Sequence, residues 1–121
     1  FLMNSKLDAG DILLQQDLSL EGSLDDVISR MEKNDYEIIC KIIQGKSKRR
    51  KQRGIPSFYK RRTPEQSELI NLNHPKSFMY NFIRMLADPY PNAFIRIGKR
   101  KIIFKLAKFD GRNLSFQGVI E

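Results

Sequence analysis

Residues 74–109 read HPKSFMYNFIRMLADPYPNAFIRIGKRKIIFKLAKF and change from a helical to a strand pattern along their length. After Pro75, apolar side chains recur at helical spacing, at Phe78, Phe82, Met85 and Leu86. The prolines at 89 and 91 end this helix because neither can donate a backbone hydrogen bond. Two apolar runs then flank Gly98, which favours a β-hairpin. The stretch therefore predicts a helix followed by an antiparallel pair of strands.

The C-terminal end adds a third strand to this hairpin. DGRN at 110–113 is typical of a turn, and LSFQGVI at 114–120 has the composition of a strand. Three short antiparallel strands would form a sheet or part of a small barrel. Four aromatic residues are expected in its core: Phe78, Phe82, Tyr90 and Phe94.

The N-terminal part of the chain has a different pattern. Residues 12–20, ILLQQDLSL, begin apolar and then alternate, which predicts a strand. Ser23 is suited to cap a helix that runs to Met31, and Asp35 is suited to start a second helix that Gly45 ends. This part is therefore predicted as a strand followed by a helical hairpin.

The composition excludes several classes of site. Cys40 is the only cysteine and His74 the only histidine, so neither an internal disulfide nor a multi-cysteine or multi-histidine metal site can form within the chain. No metal site is predicted. The 121 residues contain no long apolar segment, which predicts a soluble, cytoplasmic protein without a membrane partner.

The net charge of +8 is concentrated in three runs, at 46–53, 60–62 and 98–101. Such runs suggest an anionic partner such as nucleic acid or a nucleotide phosphate. A solvated face or a flexible linker is the alternative interpretation of the first run, KSKRRKQR. That run has no aromatic residues within it, so stacking on bases is not predicted.

The segment KLDAGDILLQQ at 6–16 places Asp8 and Asp11 on either side of an Ala-Gly pair. Asp and Gly are frequent turn residues, and Gly10 can reach positive φ without steric cost. The residues alone leave two interpretations open: a surface turn that leads into a strand, or a turn whose carboxylate takes part in chemistry.

Three segments in order resemble the formyltransferases that use N10-formyltetrahydrofolate, which include methionyl-tRNA formyltransferases and sugar N-formyltransferases. The segments are LDAGDIL (7–13), YKRRTPEQSEL (59–69) and YNFIRMLADPYPNAF (80–94). The resemblance implies an α/β fold class. Residues 1–53 would end a Rossmann-like catalytic domain, and 54–121 would form a linker helix and a small α+β C-terminal domain with an antiparallel sheet.

The same resemblance assigns site residues. It implies that Asp8 is catalytic, acting with a histidine and an asparagine from an N-terminal half that this chain lacks. It implies folate contacts from the rest of the turn, Leu7, Ala9, Gly10 and Asp11, although the role expected first for Asp11 is to brace the turn. It further places the segment with Tyr59, Arg61 and Arg62 near the acceptor substrate.

The function implied is the C-terminal part of an enzyme that moves formyl from N10-formyltetrahydrofolate to the amine of a nucleotide-linked amino sugar, in surface-polysaccharide synthesis. Methionyl-tRNA formylation is one alternative, and a non-catalytic basic module that binds RNA is another. Nucleic acid ranks behind the sugar nucleotide as a partner. The chain alone is expected to be inactive, and its exposed apolar edges predict pairing into a homodimer.

Overall fold

A computed structural model describes all residues from 1 to 121. The chain divides into two compact units, Phe1–Tyr59 and Lys60–Glu121. The sequence prediction sets a boundary slightly earlier, between residues 53 and 54. None of the helices combines the length and the apolar character needed to cross a membrane.

One continuous helix, α1 (Leu24–Ile43), dominates the first unit. Ser23 is its N-cap, as predicted, and forms a capping box with Asp26. The predicted helical hairpin is wrong, because α1 runs through Asn34 and Asp35 without a break. Each of these residues costs only about 0.7 kcal/mol relative to alanine inside a helix. The Asn34 side chain also donates to the Asp17 carbonyl at 3.2 Å, so it does not compete for the helix backbone.

The predicted strand at 12–20 is also absent. Only Ile12 pairs, in an isolated antiparallel bridge with Arg50. A strand needs a partner that takes its backbone hydrogen bonds along its length, and this unit contains none. The segment is instead attached to α1 through side chains, since Arg30 donates to the carbonyls of Ser19 and Glu21.

The second unit contains helix α2 (Lys76–Arg84) and strands β1 (Phe94–Ile97), β2 (Arg100–Phe109) and β3 (Leu114–Ile120), in the sheet order β1-β2-β3. Both strand pairs are antiparallel, and a bulge interrupts the β2–β3 register between Phe104 and Leu106. A two-residue turn joins β1 to β2, with Gly98 at a φ of +60°. The predicted small α+β domain with an antiparallel sheet is confirmed.

The core of the second unit lies between α2 and the sheet. Its buried members are Leu69, Ile83, Leu86, Ala93, Phe104 and Ala107. Each large apolar side chain buried in this way contributes about 1.5–3 kcal/mol. Two of the four aromatic residues predicted for the core lie outside it. Tyr90 is in the turn after α2 with 54% of its surface exposed, and Phe78 is 45% exposed, with its ring tilted against that of His74. Phe94 is buried and Phe82 packs against the core.

Candidate formyl-transfer site

The turn at Leu7–Gly10 has an unusual backbone at Asp8. Its φ is +50°, and it is the only residue other than glycine with a positive φ. Aspartate enters this left-handed region more readily than most residues but still at a cost in free energy. Such conformations persist where the surroundings enforce them, and they concentrate at functional sites. The Asp8 side chain is exposed to solvent.

A side chain from the basic run holds this turn. The Nε2 group of Gln52 donates to the carbonyl oxygens of Asp8 and Gly10, each at 2.8 Å. Both distances are those of good hydrogen bonds. One amide group therefore uses both of its hydrogens to fix two carbonyls that lie two residues apart.

Gly10 is buried and cannot carry a side chain in this arrangement. A Cβ atom there would lie 1.4 Å from the Leu2 carbonyl oxygen. Glycine is needed for this close approach of two backbone segments. The Leu2 N–H also donates to the Asp11 carbonyl at 2.9 Å, so the N-terminal residues pack directly on the turn.

Asp11 faces the basic run rather than the exposed side of the turn. Its carboxylate lies 3.5 Å from Nε of Arg49, and the next residue, Ile12, exchanges two backbone hydrogen bonds with Arg50 at 2.8 and 2.9 Å. The part of the run at 49–52 is thus attached to the turn. This corrects the interpretation of the whole run as a free linker.

An open cleft of about 540 Å³ lies beside Asp8. Its lining consists of the turn and the segment that follows Gln52, namely Leu7, Asp8, Ala9 and residues 52–58. This volume falls within the range of ligand pockets, about 300–1,000 Å³. Ile55, Pro56 and Phe58 contribute exposed apolar surface on which a flat ring could lie, and Arg53 adds a cation. The residues present therefore fit part of a folate-type ligand, and no group of three His, Cys, Asp or Glu side chains is placed to hold a metal ion.

The structure gives the three predicted acceptor residues different surroundings. Arg62 donates to the Gln66 carbonyl at 2.5 Å, and its guanidinium lies 5.2 Å from the centre of the Phe82 ring. These contacts give Arg62 a structural role in the second unit. Arg61 is exposed, as is Tyr59, with 91% of its surface accessible. Tyr59 does not belong to the lining of the cleft beside Asp8.

Comparison with known proteins identifies the family. The family model described as methionyl-tRNA formyltransferase, C-terminal domain, matches residues 64–120. A solved structure, methionyl-tRNA formyltransferase from Clostridium thermocellum, is 30% identical with a TM-score of 0.86. The alignment covers 98% of this chain and 53% of that one. Together these matches support the assignment of the chain to the C-terminal part of a formyltransferase. The resemblance drawn from the three sequence segments is confirmed at this level.

The two comparisons cover different parts of this chain. The family model is confined to the second unit, from the start of a short 3₁₀ turn at Pro64–Ser67 to the end of β3. The structural match extends over the first unit as well, including the Asp8 turn. The chain spans about half the length of this relative. The roles of Asp8, of the residues around it and of the acceptor segment remain predictions.

Sequence reasoning missed Gln52. Its role depends on a turn more than forty residues away in the chain, and a single glutamine within a run of lysines and arginines carries no local signal. Only the pairing of Ile12 with Arg50 reveals it, because the same antiparallel register places Gln52 opposite Gly10.

Proposed function

We propose that this chain contributes the Asp8 carboxylate to formyl transfer from N10-formyltetrahydrofolate to the primary amine of a phosphate-carrying acceptor. The observation that supports this is the enforced positive φ of Asp8 at the edge of an open cleft in a chain of the formyltransferase family. The cosubstrate, when bound, supplies the formyl carbon. The reaction is proposed for a longer polypeptide that also holds the N-terminal half, in the cytoplasm.

The carboxylate has a defined task in this proposal. Attack of an amine on the formyl carbon leaves negative charge on the formyl oxygen and positive charge on nitrogen, and a proton must leave that nitrogen. The transfer is complete when the bond between the formyl carbon and N10 of the folate breaks and N10 takes up a proton. A carboxylate can orient an imidazole, stabilise its cation and accept the proton. Asp8 is exposed, belongs to the lining of the cleft and forms no ion pair, unlike Asp11, which lies against Arg49. Asp8 is therefore the better candidate of the two for moving a proton.

A nucleotide-linked amino sugar is the acceptor favoured by sequence resemblance. The support comes from the segments at 59–69 and 80–94, which are similar to those of enzymes that formylate such sugars. Arg61 is the exposed guanidinium of the first segment and suits a diphosphate, because a guanidinium can make two parallel hydrogen bonds to phosphate oxygens.

Methionyl-tRNA is the candidate acceptor that the comparisons favour, and they give no support to the amino sugar. Both the family model and the solved structure matched above are described as methionyl-tRNA formyltransferase. Residues 46–62 also hold nine of the 22 lysines and arginines and no acid, and all nine are exposed. Such a stretch favours a polyanion through release of counterions.

One assay tests the proposal and separates the acceptors. The longer polypeptide is supplied with N10-formyltetrahydrofolate and, in parallel reactions, with an amino-sugar nucleotide or methionyl-tRNA. We expect Asp8→Asn to lower turnover on the true acceptor by about 100-fold to 10,000-fold. Asp35→Asn, an exposed residue in α1, is the matched control and should retain full turnover. Equal turnover of Asp8→Asn and the unsubstituted enzyme would end the catalytic assignment.

The non-catalytic alternative requires a different measurement. An RNA-binding module without activity should bind tRNA tightly at low salt and lose affinity steeply as salt rises. Such binding, with no turnover on either acceptor, would favour the module over the enzyme.

We also propose that the 121-residue chain pairs with a second copy of itself. Leu20, Ile39 and Ile43 are 56%, 56% and 80% exposed, and exposed apolar surface of this kind favours association. Light scattering at increasing protein concentration measures this directly. A monomer at all concentrations would contradict it.

A further inference from the structure

We propose that Gln52 is a positioning residue for the formyl-transfer reaction, acting through the backbone of Asp8. This inference rests on the proposed function of Asp8. Nothing in the family match assigns a role to Gln52, which lies outside the segment that the family model covers.

Gln52 restrains the turn through two hydrogen bonds. Its amide donates to the carbonyl of Asp8 itself and to that of Gly10, at 2.8 Å in both cases. A carbonyl on each side of Ala9 is therefore fixed to one group. Asp8 has a φ of +50°, from which it could relax to an ordinary negative φ if the turn were free. The two hydrogen bonds oppose that relaxation.

Gln52 is itself held by its own segment. Two residues earlier, Arg50 exchanges backbone hydrogen bonds with Ile12, and Arg49 lies against Asp11. These contacts fix the register of 49–52 against 10–12, so that the Gln52 side chain reaches the turn from a defined position. The segment that follows, 53–58, lines the cleft beside Asp8. Gln52 thus lies where the turn and the opposite wall of the cleft meet.

To hold both carbonyls, the side chain at position 52 needs two hydrogen-bond donors. Glutamate has the same shape but offers only acceptors at neutral pH and would face two carbonyl oxygens. Leucine has similar bulk and no donor. Both substitutions are expected to release the turn without opening a cavity, because the Gln52 side chain is exposed.

The first test measures the turn itself in the 121-residue chain. We expect Gln52→Leu to shift the backbone amide NMR resonances of residues 7–11. Gln44→Leu is the matched control, because Gln44 is an exposed glutamine of the same unit at the end of α1. The control should leave those resonances in place. Unchanged resonances in Gln52→Leu would overturn the inference.

The second test is a double-mutant cycle in the longer polypeptide, with the acceptor that supports turnover. Misplacement of a reacting group by about 1 Å costs on the order of 100-fold in rate. We therefore expect Gln52→Leu to lower kcat by about 10-fold to 100-fold with little change in the acceptor KM. Combined with Asp8→Asn it should add almost nothing, since both changes act on one group.

The outcomes separate the two proposals. If the losses in kcat caused by Gln52→Leu and Asp8→Asn are fully additive, the role of Gln52 is overturned and Asp8 stays catalytic. The same follows if Gln52→Leu has a normal kcat while Asp8→Asn has a low one. Normal turnover of Asp8→Asn overturns both. A low kcat for Gln52→Leu that is not additive with Asp8→Asn supports positioning, provided that Gln52→Leu is as thermally stable as the Gln44→Leu control.

Discussion

The Ser23 hydroxyl oxygen accepts a hydrogen bond from the Asp26 backbone N–H at 3.2 Å, and the Asp26 carboxylate accepts one from the Ser23 backbone N–H at 2.8 Å. This reciprocal pair satisfies two donors at the start of α1. Ser23→Ala should lower the free energy of unfolding by about 1 kcal/mol. Urea denaturation followed by circular dichroism measures the change, and Ser23→Thr should retain most of the stability. Equal stability of the alanine variant would show that the cap does not limit the folding of α1.

The same pair makes the first unit sensitive to acid. The hydrogen bond from the Ser23 hydroxyl, followed by that from the Ser23 backbone, lowers the pKa of Asp26 below its ordinary value. A lowered pKa in the folded state means that the unfolded chain binds the proton first as pH falls. The contribution to stability is therefore complete above the ordinary aspartate pKa of about 3.9 and disappears as pH falls through the lowered value.

Thermal unfolding between about pH 2 and 6 tests this linkage. Asp26→Asn should remove part of the loss of stability below about pH 4, so the difference in stability between this variant and the unsubstituted chain should shrink as pH falls. A difference that is the same at every pH would contradict the linkage.

The contact between Gly10 and Leu2 predicts that Gly10→Ala lowers stability only when the N-terminal residues are present. Gly10→Ala places a methyl group where the Leu2 carbonyl oxygen now lies, so the N-terminal residues must move away and the Leu2–Asp11 hydrogen bond must break. We expect a lower melting temperature and faster proteolysis near the N-terminus. The control is removal of residues 1–3, after which Gly10→Ala should cause no further loss. A further loss in the shortened chain would place the clash elsewhere.

Local patterns predicted the second unit better than the first. β3 occupies the residues 114–120 that its sequence predicts, because turn residues precede it and β2 provides a partner strand for its backbone hydrogen bonds. The strand expected at 12–20 failed because alternation along one segment cannot reveal whether a partner strand exists. The break expected at Asn34 failed because weak helix formers are tolerated inside a long amphipathic helix.

The candidate site shows the same limit. Asp8 could be proposed from its motif, since the resemblance carries the residue and its role together. Its positive φ, the cleft beside it and its dependence on Gln52 could not, because each arises from contacts between segments that are distant in sequence. The contact of Arg62 with Phe82 could not be predicted for a similar reason, since Phe82 lies twenty residues further along the chain.

The core of the second unit depends on one aromatic side chain. Phe104 is 3% exposed, and its ring meets that of Phe116 edge to face with 4.7 Å between the ring centres. Phe104→Ala should lower the free energy of unfolding by about 3–5 kcal/mol because it leaves a cavity between α2 and the sheet. Phe116 is 55% exposed, so Phe116→Ala should lose only about 1 kcal/mol, mostly from the ring contact. Hydrogen exchange of the β2 amides reports on this unit separately from α1. Comparable protection in the two variants would show that Phe104 does not anchor the sheet.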